Sequence, residues 1–246
     1  MFKKYWKFFV IFWSVVLVGI IGVFVFFWLI SAGKLGFMPT FEELENPNNR
    51  FASEVYFADG PIMNRYFEKE NRKYIEYREI PQSVIDALIA TEDVRFYDHS
   101  GVDVRGLFRV AKGLLTANTS AGGGSTISQQ LAKMLFPRES DLNVFELAIR
   151  KFREWVIAVR LEKSYTKEEI LTMYLNKYDF LNLAVGISSA ADIYFQVPLD
   201  SLKVEQAAML IGMAKNSSYY NPVRRPELTL NRRNVVLSQM YKYDKI

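Results

Sequence analysis

The sequence predicts a mostly α-helical domain, with a small β-hairpin at its front and one membrane-crossing helix before both. Three observations carry this. Residues 8–30 contain no charge. Two β-prone runs flank Asp59-Gly60. From Ile80-Pro81 onward, apolar residues recur at helical spacing. The 246 residues suffice for one anchor and one domain of about 200 residues. Half of them are hydrophobic, so a sizeable core remains once the anchor is set aside.

The anchor reads FFVIFWSVVLVGIIGVFVFFWLI from Phe8 to Ile30. At ~1.5 Å per residue it spans a ~30 Å hydrocarbon core. A signal peptide has a shorter apolar region, about 7–15 residues, and a small-residue cleavage site. Ser31-Ala32-Gly33 is only a faint site of that kind, and the run is too long. The expectation is an uncleaved helix. Lys3, Lys4 and Lys7 place residues 1–7 in the cytoplasm as a short tail, and everything after residue 31 outside. Trp6, Trp13 and Trp28 fall near the ends of the run, where indoles favour the interface.

The formal charge of +4 suggests nucleic acid only at first sight. Without the three leading lysines, 28 basic residues face 27 acidic ones, and no basic stripe interleaves with aromatics. No nucleic-acid partner is expected. The absence of cysteine excludes a disulfide framework and a thiolate metal site.

Residues 31–50 read as a stalk broken by Gly33, Gly36, Pro39 and Pro47. Residues 51–78 read as a β-hairpin linker turning at Asp59-Gly60. The remaining domain, 79–246, is predicted to hold helices at about 82–93, 103–116, 126–136, 142–163, 167–176, 201–215 and 226–241. Thr126…Gln129 and Thr166…Glu169 fit capping boxes, and Pro226 suits a first helical turn.

Two carboxylates stand in unusual places. In helix 82–93, Val84, Ile85, Leu88 and Ile89 form the apolar stripe. At about 100° per residue Glu92 falls inside it. A carboxylate there faces protein or a cleft and is suited to take a proton near neutral pH. The alternative is a frayed, exposed helix end. Helix 142–163 carries one stripe of Phe145, Ala148, Ile149, Phe152, Trp155, Val156 and Val159. A second face holds Leu147, Glu154, Ala158 and Leu161, so the helix is expected to be central and buried. Glu154 then projects inward, or forms a surface pair with Arg150. Paired carboxylates on a helical scaffold are what sugar chemistry uses, whether glycoside hydrolysis or glycosyl transfer.

Four blocks carry a resemblance. Glu92-Asp93-Val94-Arg95-Phe96-Tyr97-Asp98-His99-Ser100-Gly101 is the first, and Gly123-Gly124-Ser125-Thr126-Ile127-Ser128-Gln129-Gln130-Leu131-Ala132-Lys133 the second. The third is Arg150-Lys151-Phe152-Arg153-Glu154 with Leu161-Glu162 and Tyr174-Leu175-Asn176. Arg232-Arg233-Asn234-Val235-Val236-Leu237 closes the series. In this order they resemble glycosyltransferase family 51, the peptidoglycan glycosyltransferases. The front half, from Pro39 to Pro47 and from Ser53 to Gly60, resembles the approach to that domain in class A penicillin-binding proteins. The chain thus looks like the first half of a bifunctional synthase, or a monofunctional relative. Ser164-Tyr165-Thr166-Lys167 matches a transpeptidase motif, but it sits at a helix start without companion motifs and reads as chance.

The resemblance implies a partly lysozyme-like fold in the bacterial inner membrane, with lipid II and the growing glycan strand as substrates. It implies an inverting β-1,4 transfer that releases undecaprenyl diphosphate. Glu92 matches the general base, and Glu154 the carboxylate acting at the diphosphate, directly or through a divalent cation (Mg or Mn). Asp93, Arg109, Ser125, Thr126, Gln129, Gln130, Lys133, Arg150, Lys151 and Arg153 match substrate-binding positions, the basic ones compensating the diphosphate. The Gly122-Gly123-Gly124 turn enters a helix whose free N–H groups favour an anion. Phe96, Gly101 and the sole histidine, His99, are expected to be structural. Leu107, Phe108, Val110, Leu114 and Leu115 either pack inward or lie on the bilayer, which together with other cell-wall synthesis proteins completes the set of expected partners. The chain departs from the family at Gln196-Val197, where Gly-Lys is usual, and at Ser217, where Pro is common. A lysozyme-like muramidase or lytic transglycosylase is the rival enzyme, and a membrane-tethered scaffold the non-enzymatic one.

Overall fold

A computed structural model describes residues 2–36, 38–40, 53–56, 62–66, 71–116, 123–135 and 143–246. The Asp59-Gly60 turn, the 41–50 part of the stalk and Gly122 lie outside the described residues.

Helix α1 (Phe2–Ser31) begins earlier than the apolar run, because the lysine-bearing segment before it is also helix-forming. Its segment Tyr5–Ser31 is long and apolar enough to cross a membrane. Gly33, at φ +71°, turns the chain out of the helix. Strands β1 (Ser53–Tyr56) and β2 (Ile62–Tyr66) form the predicted antiparallel hairpin, with Ser53 opposite Tyr66 and a bulge at Val55/Tyr56.

The predicted helices of the domain are all present: α2 (Gln82–Glu92), α3 (Val104–Leu115), α4 (Ile127–Leu135), α5 (Val144–Ser164) and α6 (Lys167–Lys177). Two strands and one helix were not predicted. A two-residue strand, β3 (Asn71–Arg72), pairs in parallel with β4 (Ala184–Val185). Helix α7 (Ile187–Phe195) follows, burying Ser188, Ser189, Ala190 and Ala191. Its small, partly polar stripe gives no apolar period to read. Helices α8 (Val204–Met213) and α9 (Pro226–Lys242) complete the chain, with Pro226 in the first turn of α9 as expected.

Helices α2, α8 and α9 pack together through Val84, Leu88, Leu210, Ile211, Val236 and Met240. Helix α4 packs on both α5 and α6 through Ile127, Leu131, Ile157, Leu161, Ile170 and Leu171. Asn176 ties the segment before α2 to α6. Its amide donates to the Ile75 carbonyl (2.8 Å) and accepts from the Ile75 N–H (3.0 Å).

Two expectations are corrected. The Thr166/Glu169 capping box closes in both directions, but the one at Thr126 is half-formed. Gln129 N–H donates to Thr126 Oγ1 (3.2 Å), whereas the Gln129 side chain reaches the Gly101 carbonyl instead of turning back. Helix α5 is central only in its second half, where Arg153, Ile157, Ala158 and Leu161 are buried. Its first turn is solvent-facing: Val144 is 84% exposed and Phe145 71%. The Phe152 part of its apolar stripe meets the anchor, with Phe26 and Phe27 edge-on to Phe152 at 5.3 and 5.7 Å.

Helix α7 ends on Gln196 in the left-handed conformation, φ +56° and ψ +36°. A β-carbon there costs about 1–2 kcal/mol that glycine avoids, less the extra freedom glycine gives the unfolded chain. Gln196→Gly is therefore expected to stabilise the protein by about 0.5–1 kcal/mol. Thermal unfolding in detergent checks this, and a lowered Tm contradicts it.

Candidate active site

Glu92 is the last residue of α2 and follows the buried Ile89-Ala90. Its side chain is only 13% exposed, so the reading of a frayed, solvent-facing end does not hold. A carboxylate drawn out of water needs hydrogen-bond donors, and two arrive from distant parts of the chain. Gln130 Nε2, on α4, donates to Oε2 at 2.9 Å. Arg232 Nη2, on α9, donates to Oε1 at 3.2 Å. Gln130 is aimed in turn by Tyr174, whose hydroxyl donates to the Gln130 Oε1 at 3.0 Å. Burial, and then the nearby Glu92 charge, push the Tyr174 hydroxyl well above the usual tyrosine range, so it stays a proton donor. Tyr178 stacks on Tyr174 (5.8 Å) and is pushed up to about 12, mainly by burial.

Asp93 turns the other way and is spent inside the protein. Its oxygens lie 3.1 and 3.0 Å from His99 Nε2, and Oδ2 accepts the Ile127 N–H at 3.1 Å. His99 Nδ1 accepts the Gly101 N–H (3.2 Å), so in the neutral ring Nε2 carries the proton and donates to Asp93. The Gly101 carbonyl accepts from Thr126 Oγ1 (2.7 Å) and Gln129 Nε2 (3.1 Å). The anion expected at the start of α4 is thus met by the protein's own Asp93. Gly101, at φ +92°, lets this loop lie on α5, because a β-carbon there would stand 2.7 Å from the Ala158 carbonyl carbon. Lys167, of the chance Ser-x-x-Lys match, is committed to Glu162 (2.8 Å) and the His99 carbonyl (2.7 Å).

Glu92 opens onto a cleft of ≈ 490 Å³ whose lining includes Arg109, Ser125, Gln130, Lys215 and Arg232. Arg95 and Asp103 form an ion pair in its wall. Burial pushes the Asp103 carboxyl up, but the hydrogen bonds from Arg95 and the Gly106 N–H prevail and hold it below its ordinary value. Lys151 Nζ bridges Ser125 Oγ (2.8 Å) and Glu154 Oε2 (2.9 Å). Glu154, 12% exposed, is therefore joined to the cleft's rim through one ammonium, two hydrogen bonds from Ser125.

Of the residues singled out from sequence, Glu92, Asp93, Arg109, Ser125, Thr126 and Gln130 line this cleft, and Lys151 and Glu154 adjoin it through Ser125. Gln129, Lys133, Arg150 and Arg153 lie outside the lining. Gln129 is buried, Lys133 exposed and Arg150 half-buried. Arg153 is buried under the anchor's exit, where a β-carbon on Gly36 would strike its guanidinium. Sequence reasoning missed Lys215 and Tyr174 as site groups, and it gave Arg232 no role despite quoting its block. Among the described residues, no three His, Asp or Glu side chains converge as a metal cage.

The transglycosylase family model matches residues 59–241. Penicillin-binding protein 1A of Escherichia coli (strain K12) is 38% identical over 203 residues, covering 82% of this chain and 23% of that protein. Penicillin-binding protein 1A of Pseudomonas aeruginosa is 38% identical over 205 residues, covering 83% and 24%. The crystal structure of penicillin-binding protein 1A from Haemophilus influenzae aligns with a TM-score of 0.43 at 22% identity, covering 81% of this chain and 19% of that one. The chain spans about a quarter of the length of the curated relatives it matches.

Removing the Tyr174 hydroxyl leaves the oxygen of the half-buried Gln130 without its donor. Tyr174→Phe is expected to cost about 1–2 kcal/mol of stability. Unfolding in detergent measures this, and an unchanged Tm would show that the hydroxyl does not hold Gln130.

Proposed function

The chain belongs to the transglycosylase family, and from that premise we propose that it polymerises lipid II into β-1,4-linked glycan at the outer face of a bacterial inner membrane. The observation that carries this is a shielded carboxylate, Glu92, held by Gln130 and Arg232 at the head of a cationic cleft. In this reading the acceptor sugar enters with its 4-hydroxyl against Glu92. Glu92 takes the hydroxyl proton as the oxygen attacks the donor's anomeric carbon from the face opposite the diphosphate. The new C–O bond forms as the old one breaks, so the configuration inverts. The bond's electrons leave on undecaprenyl diphosphate.

The leaving diphosphate needs positive charge where its own grows. Lys151, at the Ser125 rim, is the nearest such group to the proposed second carboxylate, and Arg109 and Lys215 line the same cleft. Glu154 holds the Lys151 ammonium in place (2.9 Å). A divalent ion would supply further neutralisation of the diphosphate. Ions such as Mg²⁺ are held by one or two carboxylates plus substrate phosphates, and Glu154 is the carboxylate these residues offer.

Two exposed apolar groups support a membrane-facing mouth. Phe108, one turn after the exposed Val104, is 72% exposed on α3, and Val144 and Phe145 open α5. Leu107 and Val110 pack over Gly124, so α3 turns these two toward the domain while Val104 and Phe108 face outward. Placed on the bilayer whose span α1 provides, these faces receive a lipid-borne substrate from the side.

The test is the purified full chain incubated with lipid II and, separately, with finished glycan. Glycan strands are expected from lipid II, with no cleavage of the polymer. Glu92→Gln should reduce kcat by about 100-fold or more. Cleavage of finished glycan would favour the muramidase reading, and full activity of Glu92→Gln would favour a different base. In vesicles, Phe108→Asp with Phe145→Asp is expected to raise the KM for lipid II at least about tenfold, since each phenyl contributes about 1.5–3 kcal/mol when fully buried in lipid. An unaltered KM would remove the bilayer from this account.

A further inference from the structure

We propose that Arg232 is the positioning residue of the Glu92 base, holding it aimed rather than binding substrate. This rests on the glycosyl-transfer reading above. Glu92 sits at a helix end on a side chain with three rotatable bonds, and Gln130 alone is a neutral, single-bond hold on one oxygen. Arg232 takes the other oxygen from 140 residues away (3.2 Å). The two side chains are only 11% and 13% exposed, so water screens the pair weakly.

The guanidinium is itself fixed without Glu92. Its Nε donates to the Gly212 carbonyl (3.3 Å), and it stands 5.8 Å above the Tyr220 ring. Gly212 favours this, because a β-carbon there would crowd Arg232 Cγ at 3.2 Å. The cation is thus pre-organised by the α8–α9 crossing, and the carboxylate is drawn to it. Each Glu92 oxygen accepts one side-chain donor and retains a lone pair for the acceptor hydroxyl. Losing Arg232 would free one end of the carboxylate, leaving Gln130 as its one side-chain donor among the described residues. Such a loss reduces the chemical step and leaves substrate capture intact.

The full chain is assayed on lipid II as Arg232→Met and Arg232→Lys, each alone and with Glu92→Gln. Arg232→Met is expected to lower kcat about 30-fold with KM changed less than about twofold, and Arg232→Lys to recover kcat to within about fivefold of wild type. Added to Glu92→Gln, Arg232→Met should cost less than about threefold more, since its object is already gone. A raised KM with kcat intact, or an undiminished penalty beside Glu92→Gln, overturns the proposal. Should Arg232→Met alone not fold, Arg232→Lys and the double variant, which buries no lone charge, carry the test. A thermal double-mutant cycle reads the pairing without activity. Additive losses in Tm break the pair, whereas an inactive wild type with strong coupling breaks only the glycosyl-transfer reading.

Discussion

A carboxylate kept from water must be met by donors, and much of this domain's arrangement follows from meeting Glu92. Its helix, α2, is buried around its middle and the Glu92 side chain is only 13% exposed, so solvent meets it on the cleft side alone. They come from α4 and α9, which approach α2 through different parts of the core. Each donor is then fixed by another element, Gln130 by Tyr174 on α6 and Arg232 by the Gly212 carbonyl on α8. Five helices converge on one anion. Displacing any of them leaves a half-buried polar group short of a partner, at about 1 kcal/mol each, so the site and the fold are coupled.

Asp93, one residue further along, organises the other half of the cleft. It caps the start of α4 and receives His99, whose ring accepts from the backbone of Gly101. Gly101 in turn gathers Thr126 and Gln129 and rests on α5. These contacts place Ser125, at the end of the glycine-rich turn, where Lys151 can reach it. Three residues of the second block are therefore divided by role. Thr126 and Gln129 build the turn, and Ser125 presents it to the cleft.

The parts of this arrangement legible in sequence are those with a local period. The apolar stripe of α2 placed Glu92 inward, and the later helices followed from their spacing and caps. Helix α7 was not legible because its buried face is serine and alanine, and β3–β4 because two residues form no pattern. The capping box at Thr126 was half right, since sequence spacing cannot show that Gly101 offers Gln129 a better acceptor. The first turn of α5 misled for the opposite reason. Phe145 and Leu147 fit an apolar pattern that the protein's own core does not cover. Arg232 lay beyond any local rule, because nothing in a helix's period names a partner 140 residues away.

Helix α5 joins the anchor to the chemistry. Lys151 and Glu154 face the Ser125 rim, while Phe152 and Arg153, between them, face the end of α1 and the turn after it. Two turns on, Arg160 donates to the carbonyls of Ser31 (2.8 Å) and Pro39 (3.0 Å), closing the junction on both sides of that turn. Residues alternating across one helix cannot move independently, since a rotation that re-aims Lys151 also turns Phe152 out of its aromatic contacts. The emerging end of α1 is therefore a wall of the domain as well as its tether. A membrane holding α1 would set the tilt of α5, and with it the height of the cleft above the lipid.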